Sequence, residues 1–178
     1  VYGELGDARY KGYAQDILDS GQHLLDMIND ILDMAKIEAG KMQISRSLID
    51  PEEAVDSAVR MIRRRAEEKN ITLEMKTLNE VPDIEVDHRA VKQMVLNLVS
   101  NAIKFTDQGG KITISLMRQD RFVAVSVEDN GIGIPKQDIS RLTTPFEQSS
   151  ADENRNSQGT GLGLALTRSF AEMHGGKL

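Results

Sequence analysis

The sequence predicts an α+β fold in which helices cover one face of a sheet, preceded by one long bundle helix. Three observations support this prediction. Apolar residues repeat with a heptad period over residues 10–38. Strand and helix patterns then mix without strict βαβ alternation. Two neighbouring segments around Gln119-Asp120 alternate apolar and polar residues, as the arms of a hairpin do.

The long helix carries its apolar residues in alternating steps of four and three, and Ala39-Gly40 ends it. Leucines and methionines flank this seam, so the apolar surface is wider than a two-stranded coil needs and suits a helical bundle. We expect its partners to come from a preceding segment, from a second copy, or from both. The alternative is an ordinary amphipathic core helix. The seam residues are Tyr10, Ala14, Ile17, Gly21, Leu24, Ile28, Ile31 and Ala35.

The composition excludes several classes of protein. A formal net charge of −6 argues against general nucleic-acid affinity. The absence of cysteine excludes disulfides and thiolate metal sites. The sequence contains no run of about 18 apolar residues, so it does not predict a membrane span. Because the chain starts at Val1 and stops where a further strand is expected to begin, we expect a fragment cut at both ends.

The remaining elements follow from local signals. Asp50-Pro51 predicts a helix start, and Asp87 predicts the cap of a second helix. These elements predict a domain over 41–178, distinct from the bundle segment 1–40. They are a strand over 41–49, a helix from Pro51 to about Lys69, strands over 71–77 and 83–86, the helix capped by Asp87, a turn over 107–110, hairpin arms over 111–118 and 121–128, and a helix over 161–174.

The helix capped by Asp87 carries two asparagines, Asn97 and Asn101, four residues apart and therefore on one face. Lys104 and Gln93 lie on the same face. Amide oxygens suit Mg²⁺ that is held together with an anionic phosphate ligand. The alternative is a solvated polar stripe. The opposite stripe is expected to face the core and comprises Val91, Val95, Leu98, Ala102 and Phe105.

A second motif, Asp129-Asn130-Gly131-Ile132-Gly133, follows the second arm of the hairpin. Asn-Gly alone usually marks a tight turn. Here no strand returns, and the two glycines allow backbone to approach a flat ligand. An ionised Asp129 only accepts hydrogen bonds, so in a deep pocket it would select the exocyclic amine of adenine over the carbonyl of guanine.

A glycine-rich segment, Gly159 to Gly163, opens the last helix and would bind phosphate through free N–H groups. It has neither the dinucleotide nor the P-loop spacing, so taken alone it is a weak signal. The polar stretch 147–158 before it predicts either disorder or a lid, and we favour a lid. Phe146 is expected to anchor that lid or to be a plain core residue, and Arg155 to be solvated.

The order of these motifs over residues 87–176 resembles the catalytic domain of sensor histidine kinases in the GHKL ATP-binding group. Residues 21–41 are similar to the second helix of their dimerisation domain. Within the family, the chain is most similar to alphaproteobacterial cell-cycle kinases of the PleC and DivJ type. The resemblance implies a mixed sheet with three helices on one face, joined to a dimeric four-helix bundle.

The resemblance also implies roles for individual residues. Asn101 matches the Mg²⁺ ligand, and Asn97 matches a residue that supports phosphate and metal. Lys104 matches a phosphate contact, Phe105 an aromatic beside the base, and Asp129 the acid that reads adenine. The remaining positions implied to bind ATP are those of the two glycine boxes: Gly131, Gly133, Gly159, Thr160, Gly161, Leu162 and Gly163.

The function implied is a protein histidine kinase that binds Mg-ATP and transfers the γ-phosphoryl group to a histidine and then to a response-regulator aspartate. A homodimer and a cytoplasmic location are implied, with any membrane anchor upstream. The phosphoacceptor histidine of the first bundle helix is absent, as is the closing strand, and Leu142 stands where an aromatic is common. Neither His23, off the seam, nor His88, next to a cap, suits the acceptor role. His174 lies in a last helical turn where the dipole favours a cation.

We therefore expect a fragment that binds ATP but does not phosphorylate itself. One alternative is a non-catalytic scaffold or pseudokinase that binds a response regulator. The complete set of nucleotide motifs argues against it. Another alternative is an ATP-driven clamp of the same nucleotide fold, as in chaperones or topoisomerases, which the heptad helix disfavours.

Overall fold

The computed structural model describes residues 8–148 and 159–178. The chain divides into two compact units, of which one ends at Lys41 and the other begins at Met42. The first unit contains helix α1, Ala8–Glu38, which Gly40 follows with a positive φ of 63°. None of the helices in the described ranges is long and apolar enough to cross a membrane.

Helix α1 leaves its apolar seam uncovered within the described chain. Ile17 is 73% exposed, Leu24 56% and Ile28 44%. Partial burial, together with the nearby Asp26 and Asp33 carboxylates, raises the pKa of Asp30 to about 6. The predicted helix is confirmed, and its exposed seam needs a partner that one copy of residues 8–41 does not supply.

The described part of the second unit alternates short strands and helices, including a helix that the sequence did not predict, α4. The predicted strand over 41–49 is wrong for most of its length, because only its last three residues pair with another strand. The elements are β1 (Ser47–Ile49), α2 (Pro51–Glu68), β2 (Thr72–Thr77), β3 (Ile84–Val86), α3 (His88–Phe105), β4 (Lys111–Gln119), β5 (Phe122–Asp129), α4 (Lys136–Ile139) and α5 (Gly163–Met173).

The strands form two sheets with different pairings. Strands β1 and β3 are antiparallel, and the second sheet has the order β2-β4-β5. Strand β2 runs parallel to β4, whereas β5 runs antiparallel to it, so the sheet is mixed as predicted. The hairpin turn lies at Asp120-Arg121, one residue later than predicted, and Asp120 takes a φ of 55°.

The core lies between this sheet and the helices. Ile112, Ile114 and Leu116 of β4 are fully buried, as the alternation predicted. On α3 the prediction was partly wrong, because Leu98 and Phe105 are only half-buried. Val99 and Ile103 are buried instead, since the ridge of residues spaced four apart from Val95 is the one that packs inward.

Candidate nucleotide-binding site

The amide of Asn97 lies between α3 and the first turn of α5. Its Nδ2 donates to the carbonyl oxygen of Gly163 at 3.1 Å, and its Oδ1 accepts from Nε2 of Gln93 at 3.4 Å. A Cβ atom on Gly163 would lie 3.6 Å from Cγ of Asn97. The prediction that this amide points away from the protein is therefore wrong. Its donor is directed at α5, and the helix pair holds it in place.

Asn101 lies one turn further along the same face of α3 and is half-buried. Its amide makes no hydrogen bond within residues 8–148 and 159–178. An amide oxygen in this position has the chemistry of a Mg²⁺ ligand, since Mg²⁺ prefers oxygen and is held by few protein groups together with phosphates. The donor set of α3 thus fits a metal bound together with an anionic ligand.

Lys104 brings a positive charge to the glycine-rich segment before α5. A Cβ atom on Gly159 would lie only 2.9 Å from Nζ of Lys104, so the ammonium group lies directly against that backbone. The same Nζ is 4.6 Å from the centre of the Phe105 ring. The predicted cation and the predicted glycines are therefore neighbours, although 55 positions separate them in the chain.

Lys69 is a supporting residue that the sequence did not single out. Its Nζ donates to the carbonyl oxygens of Ile103 at 2.8 Å and of Lys104 at 3.3 Å. These are two of the carbonyls that the end of a helix leaves without a partner, and a cation also interacts favourably with that end of the helix dipole. Only a contact across the fold joins the lysine to α3, so periodicity gave no signal for it.

The segment after β5 is fixed to the end of α3. The Oδ1 atom of Asp129 accepts from the Gly131 N–H at 2.9 Å, and the Ile132 N–H donates to the Phe105 carbonyl at 3.3 Å. A Cβ atom on Gly131 would overlap that same carbonyl oxygen. Close approach of two backbones therefore requires the glycine, and this contact places Asp129 beside Phe105.

The other predicted positions of this segment are exposed. Asp129 is exposed, and its Oδ2 makes no hydrogen bond with the described part of the chain. Gly133 has a φ of 70°, where a side chain would be strained although space is open around it. Ile132 and Ile134 are 40% and 55% exposed. Two exposed isoleucines thus follow the exposed carboxylate in this segment.

The glycine-rich segment turns sharply into α5. Gly161 has a φ of 70°, and a Cβ atom there would lie 2.7 Å from the carbonyl carbon of Phe146. The Leu162 N–H donates to Oγ1 of Thr160 at 3.1 Å, whereas no side chain caps the start of α5. Leu162 itself is fully buried, so only its backbone faces the site. An uncapped helix start suits an anion.

Phe146, which precedes the polar stretch, and Gln148, near its start, are fixed to the same segment. The Phe146 N–H donates to the Gly161 carbonyl at 3.1 Å, and Nε2 of Gln148 donates to the Gly159 carbonyl at 2.6 Å. Phe146 is 65% exposed with a φ of 66°, so the interpretation as a plain core residue is wrong. Residues 149–158 of the predicted lid, including Arg155, lie outside the described ranges.

At the far end of α3, Asp87 caps the helix as predicted. Its carboxylate accepts from the Arg89 and Ala90 N–H groups at 2.8 and 3.3 Å, and from the Ser45 N–H at 2.8 Å. Burial opposes the charged form, but these backbone hydrogen bonds outweigh it and, with His174 nearby, lower the pKa of Asp87. The carboxylate is therefore ionised at neutral pH and joins the start of α3 to the segment that contains Ser45.

Both ring nitrogens of His174 take part in hydrogen bonds to the backbone. Its Nε2 accepts from the backbone N–H of Asp87 at 3.0 Å, and Nδ1 lies 2.7 Å from the Phe170 carbonyl oxygen. Because Nε2 accepts in this arrangement, the ring N–H that faces the Phe170 carbonyl is on Nδ1. His88 is exposed, and the side chain of His23 lies outside the described residues.

Residues 86–178 match the family described as histidine kinase-, DNA gyrase B- and HSP90-like ATPase. Two curated proteins of Caulobacter vibrioides align over 100% of this chain. The non-motile and phage-resistance protein is 53% identical over 182 residues, 22% of its length. The histidine protein kinase DivJ is 44% identical over 178 residues, 30% of its length. The chain thus spans less than a third of these two relatives.

A solved structure shows the same architecture. Full-length ShkA in complex with AMPPNP is similar with a TM-score of 0.78 and 29% sequence identity. The similarity covers 93% of this chain and 34% of that one.

Proposed function

Because the chain belongs to the histidine kinase-, DNA gyrase B- and HSP90-like ATPases, among the sensor histidine kinases, we propose that it is the catalytic core of a two-component kinase that binds Mg-ATP. One observation carries the proposal. Lys104 of α3 lies against Gly159, and the end of α3 lies against Gly131, so the three motifs border one site. The similarity to a kinase solved with an ATP analogue supports it.

Different residues of this site would bind different parts of the ligand. Lys104 and the backbone N–H groups of Gly159 to Gly163 would bind phosphate oxygens. Asn101 would hold Mg²⁺, which neutralises phosphate charge, while Asn97 keeps α5 close to this face of α3. At the other side, the free oxygen of Asp129 would accept from the adenine amine, with Gly131, Gly133 and Phe105 beside the base.

The reaction we propose is transfer of the γ-phosphoryl group to a histidine of a bundle helix not contained in residues 1–178. A response-regulator receiver domain then accepts the group on an aspartate. Such transfer depends mostly on positioning and charge stabilisation, which is what this set of residues supplies. We further propose that the exposed seam of α1 packs in a homodimeric bundle, because an apolar helix face of this width needs cover.

The test is calorimetric titration of the chain with AMPPNP in the presence of Mg²⁺. Asn101→Ala and Asp129→Asn should each weaken binding at least about tenfold, since each loses a charge-assisted or metal contact. Glu128→Gln is the matched control, because this exposed carboxylate precedes Asp129 and points to the other face of β5. It should bind as the parent does.

Two further titrations distinguish the metal-binding role of Asn101 from the base-binding role of Asp129. Chelating Mg²⁺ should weaken the parent strongly but change Asn101→Ala little. Replacing the adenine analogue by its guanine counterpart should weaken the parent, and Asp129→Asn should narrow that preference. If both variants bind AMPPNP as tightly as the parent, the site assignment is wrong. A parent that binds no nucleotide favours the scaffold instead.

A further inference from the structure

The two helices that border the proposed nucleotide site are connected at both ends. Helices α3 and α5 run in opposite directions, because Asn97 in the middle of α3 meets Gly163 at the start of α5, and Asp87 at the start of α3 meets His174 at the end of α5. The side-chain hydrogen bonds at these two places are 3.1 and 3.0 Å long.

The spacing of the two hydrogen bonds is nearly equal on both helices. On α3 they are ten residues apart, and on α5 eleven. At about 1.5 Å per residue these lengths are roughly 15 and 16 Å. A slide of one helix along the other by a single residue would therefore break both hydrogen bonds together. The pair fixes the register that sets Asn101 and Lys104 relative to the glycine-rich segment.

His174 supplies a partner that α3 lacks within itself. The N–H of a helix cap is often bound by a Glu or Gln side chain three residues later, but here that residue is Ala90. The imidazole of His174 takes this place from another helix. Asp87 therefore has its carboxylate occupied by α3 and Ser45, and its own N–H occupied by α5.

The His174 ring is itself held in place. The turn that ends α5 has Gly175 at a φ of 76°, and the Gly175 and Gly176 N–H groups donate to the Glu172 and Ala171 carbonyls. Arg46 donates to the Met173 carbonyl at 2.9 Å. The Nδ1–H bond to the carbonyl of Phe170, whose side chain is buried, sets the ring plane. Its lone pair on Nε2 is thus directed at Asp87.

We propose that His174 is a positioning residue for nucleotide binding: through the Asp87 N–H it sets the register of α3 against α5. The inference depends on the proposed function, because it concerns affinity for that site's ligand. His174 itself does not touch the ligand, since Asn97 meets α5 about 16 Å away along the helix. Its effect passes through the paired helices.

Two substitutions separate the hydrogen bonds of the ring. His174→Gln places an amide oxygen near the former Nε2 and keeps an acceptor for the Asp87 N–H. His174→Asn places an amide nitrogen near the former Nδ1 and keeps only the bond to Phe170. Each variant loses one hydrogen bond, so their melting temperatures should be similar. His88→Asn is the control for removal of an exposed histidine.

The measurement is AMPPNP affinity in the presence of Mg²⁺, with amide hydrogen exchange of Asp87 as a second readout. We expect His174→Gln and His88→Asn to bind within about twofold of the parent, and His174→Asn to bind about five- to tenfold more weakly, the loss of one hydrogen bond. The Asp87 amide should exchange faster in His174→Asn only.

Equal affinities for the Gln and Asn variants overturn the positioning role alone, provided that the parent binds nucleotide. The positioning role is also overturned if the affinities of the two variants simply track their melting temperatures. A parent that binds no nucleotide overturns the proposed function, and this role with it.

Discussion

Helices α1 and α3 have similar amphipathic sequences and opposite surroundings. In α1 the seam residue Ile17 is 73% exposed, whereas Val99 of α3 is fully buried. The difference lies in the surroundings within each unit: α3 has a sheet and two helices against it, whereas the first unit contains no second element to cover the seam of α1 in its described residues. An apolar stripe therefore predicts a helix and the face that will be buried, but not the partner that buries it.

The largest effect is expected when one leucine in the covered region and one in α1 are each replaced by alanine. Leu166→Ala removes a fully buried side chain of α5 and should lower the free energy of unfolding of the second unit by about 2–5 kcal/mol, because a cavity remains. Leu24→Ala, at a position 56% exposed, should leave that unfolding transition unchanged. Urea unfolding of both variants measures the difference. A comparable loss from Leu24→Ala would contradict the exposure of this position.

A second test asks which glycines the covered region requires. Gly131→Ala should destabilise the second unit by about 1–3 kcal/mol, because its new methyl group overlaps the Phe105 carbonyl and a backbone must move. Gly163→Ala should be neutral or stabilising, since its Cβ meets Asn97 at an ordinary 3.6 Å and alanine favours a helix. Thermal unfolding without nucleotide compares them. Equal losses of stability for the two variants would contradict the close approach of Gly131 to the Phe105 carbonyl.

Much of the second unit could be predicted because its signals are local. The Asp87 cap, the alternation of Ile112, Ile114 and Leu116, and the face shared by Asn97 and Asn101 each depend on neighbours within a few residues. The predicted site residues Lys104 and Gly159 also prove to be neighbours. Their joint role was predicted from the order of the motifs, which resembles that of a known family.

What the sequence did not reveal depends on contacts across the fold. Lys69 binds carbonyls 34 and 35 residues away, and His174 binds the N–H of a residue 87 positions earlier. Neither has a periodic signal. The same applies to Asn97, whose amide was expected to be free and instead donates to Gly163. Strand β1 was predicted too long because the alternation over 41–49 does not show where a partner strand ends.

A smaller effect is expected for the carboxylate of Asp87, which accepts backbone hydrogen bonds at the start of α3. Asp87→Asn should lower stability at pH 7 by about 1 kcal/mol, because an amide nitrogen would face the Ser45 N–H. Hydrogen bonds lower the pKa of Asp87, so its contribution is complete above the ordinary aspartate pKa of about 3.9 and is lost as pH falls through the folded value. Denaturant unfolding from pH 7 to pH 2.5 should show parent and variant converging at acid pH. Parallel curves would exclude this role for the charge.

The smallest expected effect lies in the uncovered helix and has the opposite sign. Burial, together with Asp26 and Asp33, raises the pKa of Asp30 to about 6. Its stabilising contribution to α1 is therefore complete below about pH 3.9 and is lost as pH rises through 6. Asp30→Asn should stabilise α1 at pH 7 by a few tenths of a kcal/mol, the usual size for relief of like charges on a helix. Its helicity should rise accordingly. Circular dichroism of the chain between pH 4 and 7 measures it, with the exposed Asp16→Asn as the control. If Asp30→Asn gains no helicity over that control at pH 7, α1 does not crowd these carboxylates, and the two helices differ in burial but not in electrostatics.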